Sequence, residues 1–337
     1  MGLSDQFPIG VLLAGVAPSD LHRGAALAER LGFDEVWVSE DYFENAAFTS
    51  AAIALGATQR IRVGIGVASL LTRHPAVTAM EIATLAQAYP GRLMPGLGLG
   101  LPMSLDKLGL RPQAPVAAAR TSFLAVRALL RGEQISVSGE SFVADGVSLA
   151  HAPNDPPPLF MGALGPRMLE LTGELADGVV TSVLASVEYL RDAKARVAEG
   201  AARATRRTPN IAAFAWYCVD NDGSRAKATL RSVIAATLGA LGPLPLTDAY
   251  GISDELSDMI RRSGAMAVER EMPDRWVHDL AIAGEPQECA DAIHRYAAIG
   301  VETLVLCPIP GSRMVEMLDM TATKVFPRLD GRDDAGA

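Results

Sequence analysis

The sequence has little of what builds covalent or metal-bound frameworks. Its three cysteines, Cys218, Cys289 and Cys307, are widely spaced, with no CxxC and no flanking histidine pair. Neither a zinc site nor a disulfide framework is expected, and buried thiols in a reducing cytoplasm fit best. Basic residues are outnumbered, 30 against 39 acidic ones, for a net charge of −9. The charges are scattered, so no basic stripe is available to neutralise a phosphate backbone, and nucleic acid is excluded as a partner. No run of about 18 apolar residues occurs, so no membrane span is expected. Met1 to Pro8 lacks a positive n-region and an apolar h-region, and Met1-Gly2-Leu3-Ser4-Asp5-Gln6 lacks the Ser or Thr of a myristoylation signal. No HExxH, GxSxG or Ser-His-Asp grouping supports a hydrolase. A soluble, cytoplasmic protein is the expectation.

What is present is apolar material in a regular order. Across 337 residues, 49% are hydrophobic and mean hydropathy is +0.20, enough for one large core or two modest ones. Short β-branched or apolar runs alternate with alanine-rich stretches of helical period, the mark of repeated βα units around a parallel sheet. Strands are predicted at residues 8–14, 35–39, 60–68, 93–98, 159–161, 178–181, 211–219 and 303–307. Helices are predicted at 19–31, 45–57, 75–88, 115–130, from 166, at 186–202, up to 238, at 286–299 and at 311–324. Eight strands with intervening helices predict a (β/α)8 TIM barrel with insertions, a doubly wound sheet being the alternative. Residues 132–149 read as a hairpin and 239–272 as an insertion near the active face. Residues 1–329 are expected to form one domain and 330–337 a frayed tail. No short internal repeat argues for a solenoid.

Working residues of such a barrel sit at the C-terminal ends of strands. Ser39-Glu40-Asp41-Tyr42 follows strand two and puts two carboxylates and a phenol where proton transfer or carbonyl orientation is feasible. The alternative is a solvated loop capping the next helix. Gly64-Ile65-Gly66-Val67 ends strand three, where two glycines point to a bulge, a barrel-closure kink or close approach of a planar ring. Gly96-Leu97-Gly98-Leu99-Gly100 ends strand four. Leu101 falls where G-x-G-x-x-G needs its third glycine, so a dinucleotide fingerprint fails. Gly162-Ala163-Leu164-Gly165-Pro166-Arg167 turns into a helix whose free N–H groups suit a phosphate, and Thr181 and Ser182 offer two hydroxyls beside it. His74, before Pro75, either caps a helix or reaches a ligand.

These pieces, in this order, resemble the luciferase-like superfamily, and within it the coenzyme F420-dependent branch that includes methylenetetrahydromethanopterin reductase. The likeness runs from Phe7 to about Gly200 and weakly on to Gly284-Glu285-Pro286. It implies a non-prolyl cis peptide at Gly66-Val67 behind the deazaflavin, a phosphate loop at Ala163 to Arg167 with Thr181 and Ser182, and a ring resting near Gly98 and Gly100. The implied activity is hydride transfer between F420 and a small organic substrate bearing C=N, C=C or carbonyl, with Glu40 or Asp41 handling the proton. Family habit implies a homodimer. Two departures stand out: Glu40-Asp41 replaces the usual Asp-His, and Leu101 replaces the glutamate of sugar-phosphate dehydrogenases, which disfavours that reaction. The alternatives are an FMN-dependent monooxygenase and a cofactor-free barrel serving as a binding subunit.

Overall fold

Alternating strand and helix wind in one direction in a computed structural model that describes residues 7–139 and 141–329. The expected tail at 330–337 and the N-terminal reading of Met1 to Gln6 lie outside the described residues. In chain order the strands are β1 (Ile9–Leu12), β2 (Glu35–Val38), β3 (Arg62–Ser69), β4 (Leu93–Gly98), β5 (Ile135–Ser138) and β6 (Val143–Val147). Then follow β7 (Phe160–Gly162), β8 (Gly178–Val180), β9 (Asn210–Val219), β10 (Ile282–Gly284) and β11 (Thr303–Pro308). β1, β2, β3, β4, β7, β8, β9 and β11 pair in parallel, each with the next, and β11 pairs back to β1. The ring closes as the predicted (β/α)8 barrel, and the doubly wound alternative falls.

The helices are α1 (Leu21–Arg30), α2 (Ala47–Gly56), α3 (Pro75–Ala88), α4 (Pro102–Leu108), α5 (Pro115–Leu130), α6 (Pro166–Leu175), α7 (Val187–Arg203) and α8 (Gly223–Leu241). They continue as α9 (Pro245–Tyr250), α10 (Ser253–Ser263), α11 (Val268–Glu271), α12 (Asp274–Leu280), α13 (Pro286–Ile299), α14 (Met314–Met320) and α15 (Phe326–Leu329). Proline opens α3, α4, α5, α6, α9 and α13, where its missing N–H costs nothing and its φ suits a helix.

Three features depart from the sequence expectations. β10 is a short additional strand: β9 gives its first residues to β8 and its last, Tyr217–Val219, to β10. The stretch expected to be an irregular insertion folds as α9, α10 and α11. Around α10, Ile252, Leu256, Met259 and Ile260 recur at helical spacing and pack on the core, a period the sequence reading passed over. α4, of seven residues, buries only Leu105. The hairpin of β5 and β6 forms as expected, antiparallel with Ile135 opposite Val147.

Alternate strand residues point into the barrel, and the interior is filled by a few aromatics pressed against glycines. A Cβ on Gly64 would lie 2.2 Å from the Trp37 indole, on Gly178 2.2 Å from the Phe160 ring, and on Gly66 2.5 Å from Phe214. Trp37 meets Phe214 and Phe160 edge-on, with centroids 5.3 and 5.9 Å apart. Below this layer, Glu35 accepts hydrogen bonds from Trp37 Nε1, Arg62 and Thr303, closing the floor of the barrel.

Candidate functional site

The C-terminal strand ends form a mouth over this interior. After β2, Glu40 turns toward the neighbouring loop: its carboxylate accepts from Arg73 at 2.8 and 2.9 Å and from the Ser69 backbone N–H at 3.0 Å. Arg73 also approaches Glu81 at 3.4 Å and lies 5.3 Å over the Phe48 ring. Glu40 is thereby built into the framework of the mouth. Asp41, beside it, accepts only the Ser39 hydroxyl, at 2.5 Å, on its carboxylate among the described residues. Cys307, an inward residue of β11, has its thiol pushed up by burial, and the Asp41 charge acts in the same direction.

Tyr42 completes this loop. Its Oη is buried near the Ser69 and Thr72 hydroxyls but makes no well-aligned hydrogen bond, and burial holds the phenol above its ordinary value. Gly100, at φ +83°, lies so close that a Cβ would sit 2.8 Å from Oη. The peptide Tyr42-Phe43 is cis.

At β3 the pairing to β4 shifts between Ile65 and Ala68, and the peptide Gly66-Val67 is cis, at the position the resemblance implied. The bulge carries Val67 into the mouth. A Cβ on Gly98 would lie 2.7 Å from Val67 Cγ2, and one on Gly162 3.0 Å from Cγ1, so these glycines make room for this one side chain. Gly64 sits lower, and its space belongs to Trp37; barrel packing accounts for Gly64 and Gly66 without a ligand ring. Leu12, Val67, Val183 and Trp216, partly exposed, form an apolar floor to the mouth above Trp37, Phe160, Val180 and Phe214. The sequence reading passed over Trp216. Its signal was parity, since Ala212, Phe214 and Trp216 share one face of a predicted strand.

Beyond β7, Gly165 caps α6 without a side-chain hydrogen bond. The Ala163 N–H is used by Val180 O, at 3.2 Å, whereas the N–H groups of Leu164, Gly165 and Arg167 meet no protein acceptor among the described residues. Buried Tyr189 donates to Leu164 O at 2.9 Å and fixes the turn. Thr181, at the end of β8 and next in sheet register to this loop, has a buried Oγ1 with no partner. Free N–H groups at a helix start and an orphaned hydroxyl beside them are a donor set for an anion. Pro245 of α9 would stand 3.8 Å from a Cβ on Gly165, so the segment expected near the active face does reach this loop.

His74 is structural. Its Nδ1 accepts from the Ala76 N–H at 3.1 Å, which leaves the proton on Nε2 to donate to Val143 O at 2.9 Å; the ring caps α3 and anchors the hairpin. Among the described residues no group of three His, Cys, Asp or Glu is placed to hold a metal, and no helix is long and apolar enough to cross a membrane. A cleft of about 650 Å3 opens between α8, α12, α13 and β10; of its cations, Lys227, Arg231 and Arg275 are paired with Glu288, Asp274 and Glu255, and Arg295 donates to His278 O.

The luciferase-like monooxygenase family model matches residues 3–303. The 5,10-methylenetetrahydromethanopterin reductase of Methanolobus tindarius is 30% identical over 288 residues, 83% of this chain and 87% of that protein. The F420-dependent glucose-6-phosphate dehydrogenase of Nakamurella multipartita is 30% identical over 325 residues, 93% of each. Among solved structures, the coenzyme F420-dependent tetrahydromethanopterin reductase from Methanopyrus kandleri aligns with a TM-score of 0.80 at 23% identity, covering 96% of this chain and 99% of that one.

Proposed function

Since the chain belongs to the luciferase-like monooxygenase family, we propose that it is a coenzyme F420-dependent oxidoreductase moving a hydride to or from a small organic substrate at the barrel mouth. The observation that carries the reading is the orphaned Thr181 hydroxyl beside the unpaired N–H groups of Leu164, Gly165 and Arg167, a donor set suited to a cofactor phosphate. The names of its 30%-identical relatives favour F420 over FMN. When bound, the deazaflavin supplies a two-electron hydride carrier.

The chain's own residues then divide the remaining work. Leu164, Gly165, Arg167 and Thr181 hold the phosphate, with Gly162, Ala163 and Pro166 shaping the turn. Val67, with Gly98 and Gly100, forms the surface for the ring. Glu40, tied to Arg73 and to the Ser69 N–H, is a positioning residue. Asp41, oriented by Ser39, handles the proton that must accompany the hydride. Tyr42, kept protonated by its burial, donates to the substrate's polar atom. A homodimer acting in the cytoplasm belongs to the same proposal.

Titration of the pure protein with F420 and separately with FMN, followed by tryptophan fluorescence, tests the reading. F420 binding that is weakened by Gly165→Trp is expected. Binding of FMN alone would replace it with the monooxygenase alternative, and binding of neither would leave a cofactor-free barrel.

A further inference from the structure

Large apolar side chains are unusually exposed at the mouth. Phe43, Leu101 and Met103 are 66%, 66% and 65% exposed. They are not scattered. Phe43 follows Tyr42, Leu101 follows Gly100, and Tyr42 packs so closely on Gly100 that a Cβ there would lie 2.8 Å from Oη, which brings the two loops side by side. Met103 lies in the first turn of α4, for which Leu101 is the cap. Below them is the apolar floor of Leu12, Val67, Val183 and Trp216. Arg73, which the loop after β3 brings to this end of the barrel, is taken up by Glu40 and Glu81. Exposed apolar groups gathered over a concave apolar floor mark a binding surface.

We propose that Phe43, Leu101 and Met103 form the substrate wall of the mouth and select a substrate with an uncharged, apolar body. The wall rests on the oxidoreductase reading for the reaction it serves, but its selectivity follows from these side chains alone. Tyr42, set between the two loops, meets the substrate's polar atom.

The test uses methyl ketones from acetone to 2-octanone as probes, their dissociation constants read by ligand-observed NMR on the whole protein, with and without F420. Affinity is expected to rise about fourfold per added methylene over the first few carbons. In Leu101→Asn and Met103→Asn that rise is expected to flatten to about twofold or less. Both positions are solvent-exposed, so unchanged thermal melting serves as the folding control. If F420 binds but affinity is flat along the series, or an anionic ketone such as pyruvate binds tighter than 2-octanone, the wall is overturned while the oxidoreductase reading stands. If the rise is present and lost in the variants but F420 does not bind, the wall stands and the F420-dependent reading falls. A rise that survives both substitutions places the apolar contact elsewhere and overturns the wall.

Discussion

The two ends of the barrel each carry a glutamate–arginine pair linking β2 to the segment of β3, and the two differ in what they leave free. At the floor, Glu35 takes donors from three strands, Trp37 on β2, Arg62 on β3 and Thr303 on β11. These bonds tie β2, β3 and β11 together at the bottom of the barrel. At the mouth, Glu40 takes Arg73 and one backbone N–H, and elsewhere on the rim polar groups are left unpaired: the phenol of Tyr42, the hydroxyl of Thr181 and the N–H groups before α6. A strand-end carboxylate is therefore no sign of chemistry by itself. The unspent groups beside it carry that information, because a buried polar group without a partner costs about 1–3 kcal/mol and is retained against that cost.

The largest effect is expected in the packed lower layer. Gly64→Ala drives a methyl against the rigid, fully buried indole of Trp37. A loss of at least ~3 kcal/mol is expected, at the upper end of overpacking costs. Urea denaturation measures it, and partial recovery in Gly64→Ala/Trp37→Leu would attribute the loss to this contact. The same methyl at the mouth, in Gly100→Ala, meets only the end of the Tyr42 side chain and a positive φ, and is expected to cost ~1 kcal/mol. Equal losses at the two sites would erase the distinction between a packed floor and an open mouth.

Next in size is the pair of carboxylates. Glu35→Ala strands the buried Trp37 N–H and Thr303 hydroxyl at the barrel bottom, and ~3 kcal/mol of stability is expected to go with cofactor affinity unchanged. Glu40→Ala is expected to cost ~2 kcal/mol and also to weaken F420 binding, since it frees the loop that carries Asp41 and Tyr42. Thermal melting and F420 titration of both variants separate the two roles. The pH dependence sharpens the contrast. Burial raises the Glu35 carboxyl above 4.5, its arginine partner opposing the shift. A raised folded value means that the native state binds the proton more tightly than the unfolded chain does, so this contribution is full at low pH. It is lost as pH climbs from 4.5 through the raised value. Wild type should thus lose stability relative to Glu35→Gln over that range.

How much of this was legible in the sequence follows from the range of each interaction. The eight barrel strands and the hairpin announced themselves by local period and by Gly or Pro boundaries. β10 did not, because Ile282-Ala283-Gly284 is too short to show alternation and pairs only with the far end of β9. The glycines at 64 and 66 were visible as anomalies, but their cause was not: Trp37 and Phe214 lie 27 and 148 residues away along the chain and reach them only once the barrel closes. The Glu40 to Arg73 pairing spans 33 residues and was equally hidden, so both carboxylates after β2 looked alike until the structure tied one of them down. The orphaned atoms of Tyr42 and Thr181 are properties of enclosure, which no linear pattern records.

The smallest expected effect has opposite signs in its two readouts. Thr181 is buried, and its Oγ1 has no partner. Valine has nearly the same shape without the hydroxyl, so Thr181→Val removes an unsatisfied polar atom and is expected to leave the ligand-free protein as stable or up to ~1 kcal/mol more stable. The same change removes a donor from the anion site, and F420 affinity is expected to fall about tenfold, the worth of one hydrogen bond to a charged group. A purely structural threonine would move both readouts downward or neither, and an idle one would raise stability alone. Only a residue whose hydroxyl waits for a ligand trades one against the other, so thermal melting without cofactor and titration with it, run on the same preparation, decide whether the mouth's unspent groups are kept for binding.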